Sequence, residues 1–179
     1  FLLTGLLIDI ITKTENSRII SLSSIAHKNA SINFKDMQSE QKYSKFGAYG
    51  QSKLACLIFS KELQRRLEAN QKTNSISVAA HPGASNTELA RYLPKLATIL
   101  LTPFLLLVTH SPRNAAKPTL LASLGKDVDG GDYYGPQGFM EMNGNPGLAK
   151  AESQAYDVLV AKRLWEESEK LTGINFLNY

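Results

Sequence analysis

Two short apolar segments flank a long amphipathic segment in the first half of the chain. Residues 17–23 (SRIISLS) and 75–80 (SISVAA) carry apolar or small side chains on both faces, as central strands of a parallel sheet do. Residues 46–69 between them have apolar side chains at helical spacing, with KELQRRLE as a solvent-facing side. Because two parallel strands need a crossover connection, this order predicts a strand–helix–strand unit of an α/β fold.

The remaining segments continue the alternation of helices and strands. A mostly buried helix is predicted over residues 1–14 and a strand over residues 132–134. Further helices are predicted at 87–93, at 111–125 with a disturbance near Pro118, and at 151–171 before Gly173. This order indicates a doubly wound parallel sheet with helices on both faces. Because the strand at 17–23 lacks a second neighbour, we expect only the carboxy-terminal part of such a sheet.

Composition places the chain among folded proteins of a reducing compartment. The 179 residues are 43% hydrophobic and 20% charged, which excludes a disordered or collagen-like chain. The net charge of +4 is scattered, so no nucleic-acid partner is indicated. Cys56 is the only cysteine, which excludes an internal disulfide and favours a cytoplasmic location. The apolar opening without an initiator Met or a signal peptide also predicts a carboxy-terminal fragment.

Polar residues follow both predicted strands, at the edge where open α/β sheets bind ligands. Ser24 follows the first strand, and the turn at residues 82–87 follows the second. Tyr49 and Lys53 are four residues apart on the predicted helix and therefore share one face. A cation beside a phenol favours its ionised form, which suits proton transfer. Each feature alone fits an ordinary surface or capping role, but together they predict an acid–base site.

These residues resemble the motifs of the short-chain dehydrogenase/reductase family. RIISLSSIAH, YGQSK and AAHPGASNTEL occur in the family's order and spacing. The flanking FLLTGLL, FKDMQSEQKYS, SKLACLIFSKELQRRL and DYYGP resemble its retinol dehydrogenase-like branch, which is close to the light-dependent protochlorophyllide reductases. The resemblance covers residues 1–176. It implies a Rossmann-type fold and an NAD(P)-dependent oxidoreductase that interconverts a carbonyl and an alcohol.

The resemblance also implies a role for each matching residue. Ser24 is expected to bind the substrate oxygen, Tyr49 to act as general acid or base, and Lys53 to lower the pKa of that phenol. Tyr49 and Lys53 are also expected to contact the cofactor, which is NADP or NAD, with NADP favoured by the resemblance. The turn that holds the nicotinamide carboxamide is matched by Pro82, Gly83, Ser85 and Thr87.

Three further elements of the family have no counterpart in the 179 residues. They are the Gly-rich phosphate turn, the Asn-Asn-Ala-Gly segment and the catalytic Asn, all of which precede the matched region in the family. We therefore expect residues 1–179 to be the carboxy-terminal part of a single dinucleotide-binding oxidoreductase domain, without its amino-terminal cofactor-binding half. The isolated chain is expected to be inactive.

Residues 96–108 (LATILLTPFLLLV) are the most apolar stretch, but a membrane span takes about 20 such residues. The stretch is equally compatible with a buried helix pair and with a lid over the substrate. A lid of this kind favours a lipophilic carbonyl or alcohol, or peripheral contact with a membrane. The oligomeric state is not predicted.

The sequence also has to be compared with functions other than a carbonyl–alcohol oxidoreductase. The intact Ser24, Tyr49 and Lys53 set argues against a non-catalytic dinucleotide-binding sensor or scaffold, which does not need these residues. An inactive truncated remnant and a C=C reductase are left as alternatives. His27, His81 and His110 lack metal-ligand or Ser/His/Asp spacing and are interpreted as structural or surface residues. Packing roles are assigned to Cys56, Tyr133 and Tyr134.

Overall fold

The computed structural model describes residues 1–70, 73–84 and 109–178. These residues form a four-stranded sheet with the order β1-β2-β3-β4. Its strands are Arg18–Leu22 (β1), Ile76–Ala80 (β2), Tyr133–Pro136 (β3) and Pro146–Leu148 (β4). The first three strands are parallel, as predicted, whereas β4 pairs antiparallel with β3. The sequence does not predict β4, because its Pro-Gly-Leu segment lacks a strand pattern and Pro is tolerated only at sheet edges.

Helices cover both faces of the sheet, which confirms the α/β prediction. Within the described residues the helices are Leu2–Lys13 (α1), Lys45–Ala69 (α2), Pro112–Ala115 (α3), Lys117–Leu124 (α4) and Val158–Thr172 (α5). Side chains alternate along a strand, so Ala79 of β2 packs with Leu57 of α2. Its neighbours Val78 and Ala80 pack with Ala122 of α4 on the other face. The helix α5 packs against α2.

Capping residues and proline set the helix ends in the second half of the chain. Ser111 caps α3 by accepting a hydrogen bond from the N–H of Asn114. Pro118 lies in the first turn of α4, so the predicted disturbance is a break between two helices. The predicted helix at 151–171 begins only at Val158, because Asp157 accepts hydrogen bonds from two N–H groups of its first turn.

The polar side predicted for α2 is partly buried, which corrects the expectation of a solvent-facing side. Glu62 and Arg66 are 2% and 8% exposed, because α5 and the segment after it cover them. The Arg66 Nε lies 2.8 Å from the Glu62 carboxylate, and its guanidinium stacks 4.1 Å from the ring centre of Trp165. Arg66 also donates a hydrogen bond to the carbonyl of Leu177 at 3.2 Å. A paired charge of this kind is tolerated in a protein interior, whereas a lone one is costly.

The first helix is not mostly buried, in contrast to the prediction. Among its residues only Ile8 is buried. An apolar surface of α1, here called the α1 face, is open to solvent and consists of Leu2, Leu3, Leu6, Leu7 and Ile10. Among the described strands, β1 pairs with β2 alone, so one edge of β1 is unpaired there, as predicted.

Two predicted features lie outside the described residues, namely the short helix at 87–93 and the apolar stretch at 96–108. In the ranges that are described, no helix is long and apolar enough to cross a bilayer. The same ranges contain no group of three or more His, Cys, Asp or Glu side chains that could hold a metal ion.

Candidate active site

The carboxyl ends of β1 and β2 form one edge of the sheet, here called the rim. The N–H of Ser23 donates to the carbonyl of Ala80 at 2.8 Å, so the segments after the two strands begin side by side. Ser24 is 8% exposed and caps a 3-10 turn over Ile25–Asn29, its Oγ accepting a hydrogen bond from the N–H of Ala26 at 3.2 Å. The hydroxyl predicted to bind a substrate oxygen therefore lies at the rim, held by its own turn.

Tyr49 and Lys53 lie on one face of α2 and reach the same rim. The Lys53 Nζ is 5.7 Å from the centre of the Tyr49 ring, and the Tyr49 side chain is half exposed. Lys53 also donates to the carbonyl of Leu22 at 3.2 Å, the last residue of β1. In return, the Ser23 hydroxyl donates to the carbonyl of Lys53 at 2.8 Å. These contacts tie the Tyr and Lys face of the helix to the strand end that precedes Ser24.

Gly50 allows α2 to approach the turn that carries Ser24. A Cβ at Gly50 would lie 3.1 Å from the carbonyl oxygen of Ala26 and 3.2 Å from the Cβ of Ala30. Both distances are shorter than ordinary van der Waals contacts, so any side chain here would push the helix and the turn apart. The glycine next to Tyr49 therefore keeps the phenol close to the serine turn.

We expect Gly50→Ala to be less stable than the matched variant Gly47→Ala by about 1–2 kcal/mol, as measured by urea unfolding. Both changes raise helix propensity equally, but a Cβ at Gly47 meets only the Ser44 side chain, at 3.5 Å. Equal stability of the two variants would contradict close packing at Gly50.

Of the four residues predicted to hold the nicotinamide, Pro82 and Gly83 are described, whereas Ser85 and Thr87 lie outside the described residues. Gly83 has φ +73°, where a side chain is strained, and a Cβ there would collide with the carbonyl of Met142. His110 Nε2 donates to the carbonyl of Pro82 at 2.6 Å, which gives this histidine a structural contact. The turn at Pro82 and Gly83 is therefore packed against the Met142 backbone and hydrogen-bonded to His110.

Gln51 is a residue of the site that the sequence analysis did not single out. Its side chain accepts from the N–H of Asn33 at 2.7 Å and donates to the carbonyl of Met37 at 3.0 Å. It therefore holds the loop that follows the serine turn against α2. Its place between Tyr49 and Lys53 is the only sequence signal for this role, because both bonds go to backbone atoms of residues with no marked pattern.

A groove of about 490 Å³ opens beside Tyr49, between the loop after the serine turn and the start of α2. Phe46, which lines it, is 90% exposed. More than half of the remaining lining residues are polar, Asn29, Ser31, Asp36 and Lys42 among them, and the small residues include Ala26, Ala30, Gly47 and Gly50. This groove has room for a small molecule next to the phenol and offers it an aromatic ring.

Two fully buried histidines lie below the rim. The rings of His27 and His81 lie 5.6 Å and 5.2 Å from the Tyr133 ring, measured between centres. His27 Nε2 accepts from the N–H of Glu152 at 3.3 Å, so the proton of the neutral ring is on Nδ1, which donates to the carbonyl of Ser24 at 2.7 Å. His81 Nδ1 accepts from the N–H of Gly83 at 3.2 Å, which puts its proton on Nε2.

Burial sets the charge state of these groups. It lowers the pKa of His27 and lowers the pKa of His81 to about 4, so both rings are neutral at pH 7. His81 Nε2 lies 3.6 Å from Glu141, whose carboxylate pairs with Lys28 at 3.0 Å. Burial alone would raise the pKa of Glu141, but the N–H of Lys150 and the Lys28 ammonium outweigh it and lower that pKa. Burial also raises the pKa of Tyr133, which stays protonated.

We expect the free energy of unfolding to fall by about 2 kcal/mol between pH 7 and pH 5 because of His81 alone. The folded pKa of about 4 is below the ordinary 6.5, so the unfolded state binds the proton first. The contribution of His81 is therefore complete above its unfolded pKa and is lost as the pH falls toward 4. Urea unfolding at the two pH values measures this, and His81→Asn should flatten the dependence by the same amount. An unchanged slope in this variant would contradict the assignment.

The residues at the rim fit the nicotinamide end of a dinucleotide. An ammonium, a phenol and a hydroxyl lie near the end of β1, and a glycine turn with positive φ follows the end of the neighbouring β2. These are hydrogen-bonding groups that suit a ribose and a carboxamide. No glycine-rich phosphate turn between a strand and a helix occurs in the sequence, so the pyrophosphate has no evident partner in these 179 residues.

Comparison with known proteins finds relatives along nearly the whole chain. The chain is 38% identical to retinol dehydrogenase 13 of Mus musculus, 36% to retinol dehydrogenase 14 of Mus musculus and 33% to dehydrogenase/reductase SDR family member 13 of Bos taurus. Each alignment takes in 97% of this chain but only 51%, 50% and 44% of the relative. The chain thus spans about half the length of the curated relatives it matches.

A solved structure matches the fold of this chain over nearly its whole length. An uncharacterised protein from Mycobacterium paratuberculosis superposes with a TM-score of 0.74 at 34% identity, over 97% of this chain and 55% of that one. No family model matches the chain.

Proposed function

Because the chain belongs to the short-chain dehydrogenase/reductase family, in its retinol dehydrogenase-like branch, we propose that it is the carboxy-terminal part of an NAD(P)-dependent oxidoreductase. This enzyme interconverts a carbonyl and an alcohol. Residues 1–179 supply the acid–base residues and the nicotinamide turn of a single dinucleotide-binding domain. The segment that binds the pyrophosphate belongs to the other half of that domain.

The observation that carries this proposal is the attachment of the Tyr49 and Lys53 face to the strand end before Ser24. Lys53 contacts the last residue of β1, and Ser23 contacts the backbone of Lys53. These bonds hold Lys53, and the helix face it shares with Tyr49, at the strand end that precedes Ser24. A proton donor, a cation and a hydroxyl on one rim are protein groups that assist carbonyl reduction when a hydride donor is bound.

In the reduction, the substrate oxygen accepts hydrogen bonds from the hydroxyls of Ser24 and Tyr49. A bound nicotinamide cofactor would supply the hydride for the carbonyl carbon. Tyr49 gives its proton to the substrate oxygen as negative charge develops there. Lys53 stabilises the phenolate that remains, and Ser24 keeps the oxygen aligned. In the oxidation, Tyr49 takes the proton back. Pro82, Gly83, Ser85 and Thr87 would hold the nicotinamide carboxamide.

We further propose a lipophilic substrate, with retinal and retinol as the pair to test first. The groove beside Tyr49 presents the exposed ring of Phe46. Several relatives are named retinol dehydrogenases. A protein that takes such a substrate from a lipid bilayer gains from peripheral contact with a membrane, so we propose a membrane-associated protein on the cytoplasmic side. NADP is the proposed cofactor, with NAD as the alternative to be tested beside it.

The test is an assay of the full-length protein that contains this sequence. NADPH and NADH oxidation are each followed with retinal and with a short polar aldehyde. We expect turnover with retinal and weaker turnover with the polar aldehyde. The translated length of the message is determined in parallel, to establish whether a glycine-rich turn between a strand and a helix precedes Phe1.

Each other outcome points to one alternative. Dinucleotide binding without turnover on either aldehyde would favour a sensor or scaffold. Reduction of a C=C bond with no alcohol formed would place the protein among C=C reductases. A protein translated from Phe1 onward that binds neither dinucleotide would be an inactive remnant.

A further inference from the structure

We propose that His27 and His81 are positioning residues for this reaction, each holding the backbone of one loop at the rim. His27 holds the loop of Ser24 on the substrate side, and His81 holds the turn of Gly83 on the nicotinamide side. The inference rests on the proposed function and extends it to two residues that make no expected contact with substrate or cofactor. Substitution of His27 is expected to change turnover, and substitution of His81 is expected to change NADPH affinity.

His27 fixes Ser24 through a directional bond. The Nδ1–H of His27 donates to the carbonyl of Ser24 at 2.7 Å, while its Nε2 accepts from the N–H of Glu152. Because a backbone N–H can only donate, Glu152 selects the tautomer that Ser24 needs. The ring thus joins the serine turn to the segment after β4, which is 125 residues away in the sequence. This hydrogen bond fixes the Ser24 backbone and thereby restricts the position of the Ser24 hydroxyl.

His81 fixes the nicotinamide turn in the complementary way. Its Nδ1 accepts from the N–H of Gly83 at 3.2 Å, two residues further on. The ring is wedged against β3, because a Cβ at Gly135 would collide with the imidazole. Glu141 faces the other ring nitrogen and has φ +58°, in the left-handed region that a side chain rarely adopts. The turn at Gly83 is therefore hydrogen-bonded to a histidine ring that is itself packed against β3.

Tyr133 contacts both rings, and this makes the pair more than two isolated packing residues. Its ring lies within 6 Å of each imidazole centre. The histidines that hold the serine turn and the nicotinamide turn therefore pack against the same aromatic side chain. Since hydride and proton transfer need both reacting partners in one geometry, a common support is what the site requires.

The experiment uses the full-length protein and paired Asn and Gln variants of each histidine. An Asn amide occupies the position of Nδ1, so it can still donate to Ser24 from residue 27 and accept from Gly83 at residue 81. A Gln amide reaches the position of Nε2 and leaves those bonds unmade. Both replacements remove the ring that packs on Tyr133, so each Asn variant controls for lost packing.

We expect His27→Gln to lower kcat for the carbonyl about tenfold while the Kd for NADPH, measured by fluorescence titration, stays within about twofold. His81→Gln should instead raise that Kd about tenfold and leave kcat at saturating NADPH within about threefold. Both Asn variants should restore most of the lost property. In the wild-type protein, ¹⁵N NMR should find His27 protonated on Nδ1 and His81 on Nε2.

The positioning roles would be overturned if the Asn and Gln variants lost kcat and NADPH affinity together, in proportion to their loss of thermal stability. The opposite pair of tautomers in the NMR spectrum would overturn them as well. A wild-type protein without turnover on any carbonyl would instead refute the proposed function, and the NADPH titrations and NMR spectra would still report on the two loops.

Discussion

Replacing Tyr49 by Phe in the full-length protein is expected to lower turnover about 1,000-fold, with the Kd for NADPH changed by no more than about twofold. The variant loses only the hydroxyl that exchanges a proton with the substrate oxygen. Its ring, which lies 5.7 Å from the Lys53 Nζ, and its place on α2 are retained. Single-turnover kinetics with retinal and direct NADPH titration separate the two quantities.

Tyr43→Phe is the matched control, because Tyr43 lies just before α2 and is 70% exposed. Its loss of a hydroxyl should leave turnover within about twofold of the wild type, as surface changes usually do. Turnover that survives Tyr49→Phe, or that falls equally in both variants, would remove Tyr49 from the mechanism.

The 179-residue chain alone is expected to self-associate and to bind no dinucleotide in the micromolar range. The α1 face leaves Leu3, Leu6 and Ile10 at 71%, 63% and 66% exposure, and β1 has an unpaired edge among the described strands. An exposed apolar helix face and an open strand edge are both surfaces that recruit further chains. Light scattering during size-exclusion chromatography measures the association, and fluorescence titration with NADPH measures the binding.

A variant with Gln at residues 3, 6 and 10 should be markedly less associated than the wild-type chain. Leu171→Gln on α5, also an exposed apolar residue at 58%, is the control and should change little. A monodisperse wild-type chain with micromolar NADPH affinity would contradict both parts of the prediction.

The parts of the fold that the sequence predicts are those encoded by local patterns. β1, α2 and β2 have the expected order and nearly the expected bounds, because burial on both strand faces and a helical apolar stripe are visible in single segments. The face shared by Tyr49 and Lys53 follows from helical geometry alone.

The features that escaped prediction depend on partners far away in the chain. Glu62 and Arg66 have the composition of a wet helix face, and only the packing of Trp165 and Leu177 shows them to be buried. His27 has no marked spacing in the sequence, since its contacts come from Glu152 and Tyr133. Sequence periodicity reports how one element is patterned, whereas these residues are defined by which elements meet.

The stack of Arg66 on Trp165 gives the protein a built-in optical reporter. Trp165 is the only tryptophan of the chain and is 2% exposed, with the rings of Phe1, Phe59 and Phe176 between 4.8 and 5.8 Å from its own. Its emission should therefore be blue-shifted and should move to the red only when α5 separates from α2. An emission maximum that holds steady in mild acid while activity declines would show that α5 stays packed on α2 as activity is lost.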